Sequence, residues 1–132
     1  MESFLLDTMS VLWMAFRPDL LSPGASARIR DSSAPLVYSV VSMWEIGLKM
    51  SRGGYRDFIL PADWDVQIPE ALALDGIREL AVSPRHCRRI QDLHFHHKDP
   101  FDRMLIAQSL VEDLSIIGCD EQFDDYGVKR VW

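Results

Sequence analysis

His97-Lys98-Asp99-Pro100-Phe101-Asp102-Arg103, continuing as Met104-Leu105-Ile106-Ala107-Gln108, is the stretch on which the reading of this chain turns. Locally it is a helix start. Asp99 is placed to cap the first amides and Pro100 suits the first helical position. Asp102 falls three residues after the cap, where an acid faces the positive end of the helix. The apolar run behind it carries the helix to about Asp113. Capping explains these residues one at a time. It does not explain why Asp7, Glu45 and Asp120 occupy comparable places, each following an apolar run or opening a helix.

Outward from that stretch, the chain alternates short apolar runs with helical patterns. Phe4-Leu5-Leu6 reads as a strand buried on both faces of a parallel sheet. Asp7-Thr8 then stands at its carboxyl end, where open α/β sheets place their ligands, and also fits as a cap for the helix of Val11, Leu12, Ala15 and Phe16. Residues 22–35 predict a short helix with loops around Ile29. Leu36 to Val41 predicts a second strand, with Ser42 as a helix cap and Glu45 at capping-box spacing. Trp44 and Leu48 share one face of that helix. Glu45 has two readings: an exposed ion pair with Lys49, worth a few tenths of a kcal/mol, or a place in the cleft of Asp7. Gly53-Gly54 ends the helix.

Trp64, Ile68, Ala71 and Leu72 mark a further helical face, and Ile77 to Val82 a third strand. Ser83-Pro84 opens a helix through Leu93, Ser115 to Asp120 is a fourth strand and Val128 to Trp132 a fifth. This alternation predicts an α/β/α sandwich on a mostly parallel sheet, with right-handed crossovers and helices on both faces. No repeat or linker divides residues 1–132, so a single domain is expected.

At 48% hydrophobic and 26% charged residues, the composition is that of a soluble globular protein. Cys87 and Cys119 lack framework or metal-ligand spacing and read as reduced thiols of a cytoplasmic protein. The apolar segment Phe4–Phe16 is interrupted by Asp7, follows no basic region and is too short to span a bilayer. A net charge of −6 repels nucleic acid overall, so any RNA binding must rest on a local basic patch or on metal ions. Arg85, His86, Arg88 and Arg89, with His94, His96, His97 and Lys98 nearby, form one such patch, although a solvated helix face accounts for it more simply.

Asp7, Glu45, Asp102 and Asp120 are thus expected along one sheet edge. Two carboxylates ~4 Å apart repel by ~4 kcal/mol at an effective dielectric of ~20. Something must offset this. Oxygen ligands alone favour a hard cation, Mg²⁺ or Mn²⁺, with waters completing its shell. Such an ion activates a bound water and neutralises phosphoryl charge, which is the equipment of phosphodiester hydrolysis.

The sequence resembles the PIN-domain family, and within it the VapC-type toxins of type II toxin–antitoxin pairs. The matching blocks are Leu5-Leu6-Asp7-Thr8 with Leu12-Trp13, Ser42-Met43-Trp44-Glu45-Ile46 with Lys49, the 97–108 stretch, and Asp120 with Phe123, Tyr126 and the terminal Val131-Trp132. They run in family order over nearly the whole length. The resemblance implies a Rossmann-like α/β/α fold, a divalent-cation-dependent endoribonuclease acting on RNA, a cognate antitoxin partner and a homodimer. Asp7, Glu45 and Asp102 carry over as core metal ligands and Asp120 as a fourth acid that acts directly or through water. Thr8 carries over as a supporting hydroxyl. Asp99 is read first as a helix cap and second as a site residue. Two departures stand out: Met9 where relatives often have a polar residue, and Gly118 where a Ser or Thr often precedes the fourth acid. Loss of that hydroxyl is expected to affect substrate positioning.

Rival readings are weaker on the residues. His94, His96 and His97 lack further ligands at zinc spacing. No Gly-x-Gly-x-x-Gly follows the first strand, which disfavours a nucleotide cofactor. A DNA-directed PIN nuclease uses the same carboxylates. A catalytically idle module, whose acidic pocket receives a basic partner segment, has no need for so costly a cluster. Under the toxin reading, the antitoxin would present an Arg or Lys to the acids in competition with the metal.

Overall fold

Phe4–Leu6 forms β1, the middle strand of a five-stranded parallel sheet of order β3-β2-β1-β4-β5, in a computed structural model that describes residues 2–31 and 33–132. The other strands are β2 (Leu36–Ser39), β3 (Arg78–Leu80), β4 (Ser115–Ile117) and β5 (Arg130–Val131). Between them run α1 (Thr8–Phe16), α2 (Pro23–Arg30), α3 (Val40–Ser51), α4 (Trp64–Leu74), α5 (Pro84–Gln91) and α6 (Pro100–Glu112). The expected α/β/α sandwich is present, and its sheet is parallel throughout. Position 32, within the predicted 22–35 stretch, lies outside the described residues. No helix among the described residues is long and apolar enough to cross a membrane.

The period-two geometry of strands explains why Phe4-Leu5-Leu6 is apolar without interruption. Phe4 and Leu6 pack on one face, with Val11 and Leu12 of α1, Ile29 of α2 and Ile68 and Leu72 of α4. Leu5 packs on the other, with Ile116 and with Leu105 and Ile106 of α6. Helix α5 lies against α6, and α3 sends Ile46 to the first core and Val41 to the second. Each fully buried Leu or Ile contributes roughly 1.5–3 kcal/mol, so interrupting β1 with a polar residue would weaken one core or the other.

Five boundaries differ from expectation, two of them because β4 ends at Ile117, short of Asp120, and β5 covers only Arg130–Val131, where it pairs with β4. Strand β2 stops at Ser39, not Val41, because the Ser39 hydroxyl accepts the Val41 amide at 3.1 Å and caps α3 there. The cap overrides the strand preference of Val40 and Val41, and Ser42 becomes an interior helix residue. Strand β3 pairs only over Arg78–Leu80, since its single neighbour β2 ends opposite Leu80. Helix α5 ends at Gln91, before Leu93. Its Ser83 cap is reciprocal: the Ser83 amide donates to His86 Nδ1 at 3.0 Å and the His86 amide to Ser83 Oγ at 3.4 Å. His86 is therefore buried, with Nε2 3.2 Å from Glu112 Oε1, and does not belong to the surface patch with Arg85 and Arg88.

Ser39→Ala removes the α3 cap and is expected to cost about 1 kcal/mol, read as a lower denaturant midpoint. An unchanged midpoint would contradict this helix start.

Candidate active site

The sheet register sets the site. Leu6 lies opposite both Tyr38 and Ile117, so the next residues, Asp7, Ser39 (the last of β2) and Gly118, form one row across three adjacent strands. From β1 the strand order runs outward through β2 and β3 on one side and through β4 and β5 on the other. The crevice where the two directions part is where open α/β sheets bind ligands. Asp7 stands in it.

Asp7 is buried and caps α1 from the end of β1. Its Oδ1 accepts the Ser10 amide at 2.8 Å, capping α1, while its own amide donates to the Ile117 carbonyl at 3.0 Å. The Ser10 hydroxyl donates to the same carbonyl at 3.0 Å and locks the turn to β4. The Thr8 hydroxyl donates to Glu45 Oε1 at 2.6 Å. That spends the only Thr8 proton, so the Ser42 hydroxyl, 2.9 Å away, donates to Thr8. Ser42 thus holds the site together instead of capping a helix. Glu45 sits on the second turn of α3, not the first. It makes no ion pair with Lys49 among the described residues; Lys49 Nζ lies 5.7 Å from the centre of the Tyr55 ring.

Asp99 caps α6, accepting the Phe101 and Asp102 amides at 2.9 and 3.1 Å. Asp102 is half-buried, with His97 Nε2 3.6 Å from its Oδ2. Asp120 lies beyond the end of β4, where its carboxylate accepts the Gln122 amide at 2.9 Å and opens a 3-10 segment, Glu121–Tyr126. A pocket of about 360 Å³ opens beside these residues, lined by Thr8, Met9, Glu45, Lys49, Arg52, Tyr55 and Asp99.

The electrostatics place the acids in one field. Burial, then the charges of Asp99, Glu45, Asp120 and Asp7, push the Asp102 carboxyl up to about 8. Burial raises Asp7 to about 6 against the opposing bonds from Ser10, and Asp120 adds to the rise. Glu45 is raised by burial and by Asp99 and Asp7, although the Thr8 hydrogen bond pulls the other way. No Lys or Arg forms a salt bridge with any of these five acids among the described residues. Burial is the largest cause of all three rises, and the neighbouring carboxylates add to it.

The donor set fits a hard divalent cation: carboxylate oxygens with hydroxyls behind them and no cationic partner. No three His, Cys, Asp or Glu side chains among the described residues converge tightly enough to enclose an ion by themselves. For His94, His96 and His97 this removes the zinc reading, since zinc takes three or four close protein ligands. For the acids it is compatible with Mg²⁺, which keeps several waters and takes one or two carboxylates.

Gly118 packs against the Asp7 carboxylate, a fit the sequence does not reveal. A Cβ there would lie 2.4 Å from Asp7 Oδ2 and 2.7 Å from its Cγ. The hydroxyl side chain expected from the resemblance has no room at this position while Asp7 holds its place. Gly118 is not among the glycines with positive φ, so space and not backbone freedom requires it. Ser10 carries no distinguishing signal in the sequence, and Ser42 reads there as an ordinary helix cap.

The family model of the PIN domain matches residues 4–129. Two solved structures are similar over nearly the full length. A DNA-bound VapBC from Salmonella typhimurium has a TM-score of 0.69 at 11% identity, covering 98% of this chain and 97% of that one. VapBC2 from Rickettsia felis, bound to a promoter DNA fragment, has a TM-score of 0.62 at 9% identity, covering 96% of each chain. At such identities the likeness establishes the fold. No curated protein sequence matches the chain.

Gly118→Ala is expected to turn the Asp7 carboxylate aside and lower divalent-metal affinity, with a smaller effect on the melting temperature; unchanged metal affinity would contradict the packing argument. For pH, both raised carboxyls bind protons more tightly folded than unfolded, where Asp titrates near 3.8. Their stabilisation is full below that value and is lost as pH rises through about 6 and then about 8. Metal-free protein should therefore melt at progressively lower temperature across this window. Asp102→Asn should flatten the fall, and Mn²⁺ should raise the melting temperature at its alkaline end. A pH-independent melting temperature in the metal-free wild type would contradict the shifts.

Proposed function

The chain belongs to the PIN-domain family, a family of nucleases, and on that premise we propose that it is a Mg²⁺- or Mn²⁺-dependent endoribonuclease, the cytoplasmic toxin of a toxin–antitoxin pair. One observation carries the reading: Asp7, Glu45, Asp99, Asp102 and Asp120 share one field at the carboxyl edge of the sheet, and among the described residues no Lys or Arg forms a salt bridge with any of them. In this reading Asp7, Glu45, Asp102 and Asp120 hold the cation, directly or through water, and Asp99 reinforces the negative field. When bound, the cation lowers the pKa of a water and offsets charge on the phosphoryl oxygens.

The chain's own groups do the positioning. The Ser10 amide fixes one oxygen of Asp7, and the Ser42-to-Thr8-to-Glu45 relay of hydrogen bonds fixes Glu45. Lys49 and Arg52 line the pocket beside Glu45, so a locally positive rim is available to phosphates on a chain of net charge −6. The likeness to VapBC complexes supports an antitoxin partner, with a basic side chain entering the acidic site in place of the cation. A homodimer completes the reading, to be tested by the mass in solution.

Asp7→Asn is expected to lower Mg²⁺-dependent RNA cleavage by more than ~100-fold, since changing groups merely behind a metal ligand already costs 10–100-fold. Antitoxin binding should largely survive. Preferential cleavage of DNA would redirect the assignment to a DNA nuclease. A wild type that cleaves no RNA with either ion would favour the idle acidic-pocket module.

A further inference from the structure

His97 Nε2 is one of two buried side-chain polar atoms without a hydrogen-bond partner among the described residues. Its surroundings determine what it carries. The Tyr126 hydroxyl, at the end of the 3-10 segment, meets three groups: the His97 amide at 3.1 Å, Arg103 Nη1 at 3.3 Å and His97 Nδ1 at 2.8 Å. The amide and the guanidinium can only donate. A phenol has two lone pairs and one proton. Both lone pairs are taken, so the proton goes to Nδ1, and the imidazole keeps its own proton on Nε2. That N–H faces Asp102 Oδ2 at 3.6 Å, just beyond hydrogen-bond length.

We infer that His97 is a positioning residue for Asp102: its Nε2–H, held in that tautomer by Tyr126, closes on Oδ2 and orients the carboxylate in the loaded site. Hydrogen bonds at reaction centres are often long in the free protein and tighten on loading. No other side-chain donor reaches the Asp102 carboxylate among the described residues. A neutral donor suits this place better than a Lys or Arg would. It fixes one oxygen and leaves Oδ1 free, without a positive charge to compete with a cation. Arg103, the nearest alternative, is held away by the His94 carbonyl at 2.9 Å and by the Phe95 ring, 4.2 Å from its Cζ. The inference rests on the proposed function only in taking Asp102 as a metal ligand.

Two measurements on the full chain test it. In the metal-free protein at mildly alkaline pH, ¹⁵N NMR should show His97 Nδ1 as the bare ring nitrogen and Nε2 as the protonated one, and Tyr126→Phe should mix the tautomers. A proton resident on Nδ1 overturns the inference whatever the protein binds. Calorimetry with Mn²⁺ alone then tests the positioning. His97→Gln, whose amide N–H can replace Nε2–H, should bind within a few-fold of wild type, whereas His97→Leu should lose about 10–100-fold. Should the Leu variant not fold, Tyr126→Phe is expected to weaken Mn²⁺ in the same direction. Full affinity in the Leu variant, or an equal loss in Gln and Leu, overturns the positioning role and leaves the proposed function standing. A wild type that binds no Mn²⁺ overturns both, with the tautomer still reporting separately on the hydrogen bond.

Discussion

The parallel register of β1 with β2 and β4 is the constraint from which the rest follows. Three strands end within one residue of each other, so Asp7, Ser39 and Gly118 form one row on the sheet edge. Parallel strands expose their carboxyl ends together and need helical crossovers, and each crossover begins with a cap. Asp7 and Ser39 serve as caps directly. Asp99 caps the helix that carries Asp102. The local demand for polar groups at helix starts and the requirement for acids at a metal site thus fall on the same positions.

This coincidence has a cost that no Lys or Arg salt bridge relieves among the described residues, Arg130 acting on Asp7 only as a minor, longer-range charge. Asp7 and Asp102 are raised well above an ordinary Asp, and Glu45 moves the same way. The hydrogen bonds present come from neutral donors: the Ser10 amide on Asp7 and the Thr8 hydroxyl on Glu45. Neutral donors orient carboxylates while keeping their charge available. A fold selected for stability alone would have placed a Lys or an Arg there, as at the peripheral Asp124, which takes a two-pronged contact from Arg130. The edge reads as a binding feature maintained at the expense of the metal-free protein.

Much of this was legible in the sequence because local chemistry and the global plan agree. Phe4-Leu5-Leu6-Asp7 reads as strand then cap, and is. Asp99-Pro100 and Ser83-Pro84 announce α6 and α5. The misread places are those where two local signals compete. Val40 and Val41 favour a strand, yet Ser39 caps the helix ahead of them, which moves Ser42 from cap to helix interior beside Thr8. His86 looks like surface charge, but closing its own helix cap buries it. Gly118 and Tyr126 act across distances of more than a hundred residues and of twenty-nine, through a steric fit to Asp7 and a hydrogen bond to His97. No spacing rule in one sequence encodes such contacts.

The central claim is that this row of strand ends creates one negative centre for a hard divalent ion. Crystals grown with Mn²⁺ and measured for anomalous scattering test it most directly. The account predicts a peak at the β1–β4 crevice within bonding distance of at least one of Asp7, Glu45, Asp102 and Asp120. A well-diffracting crystal with no peak there, or with its only peak at His94 and His96, would contradict it.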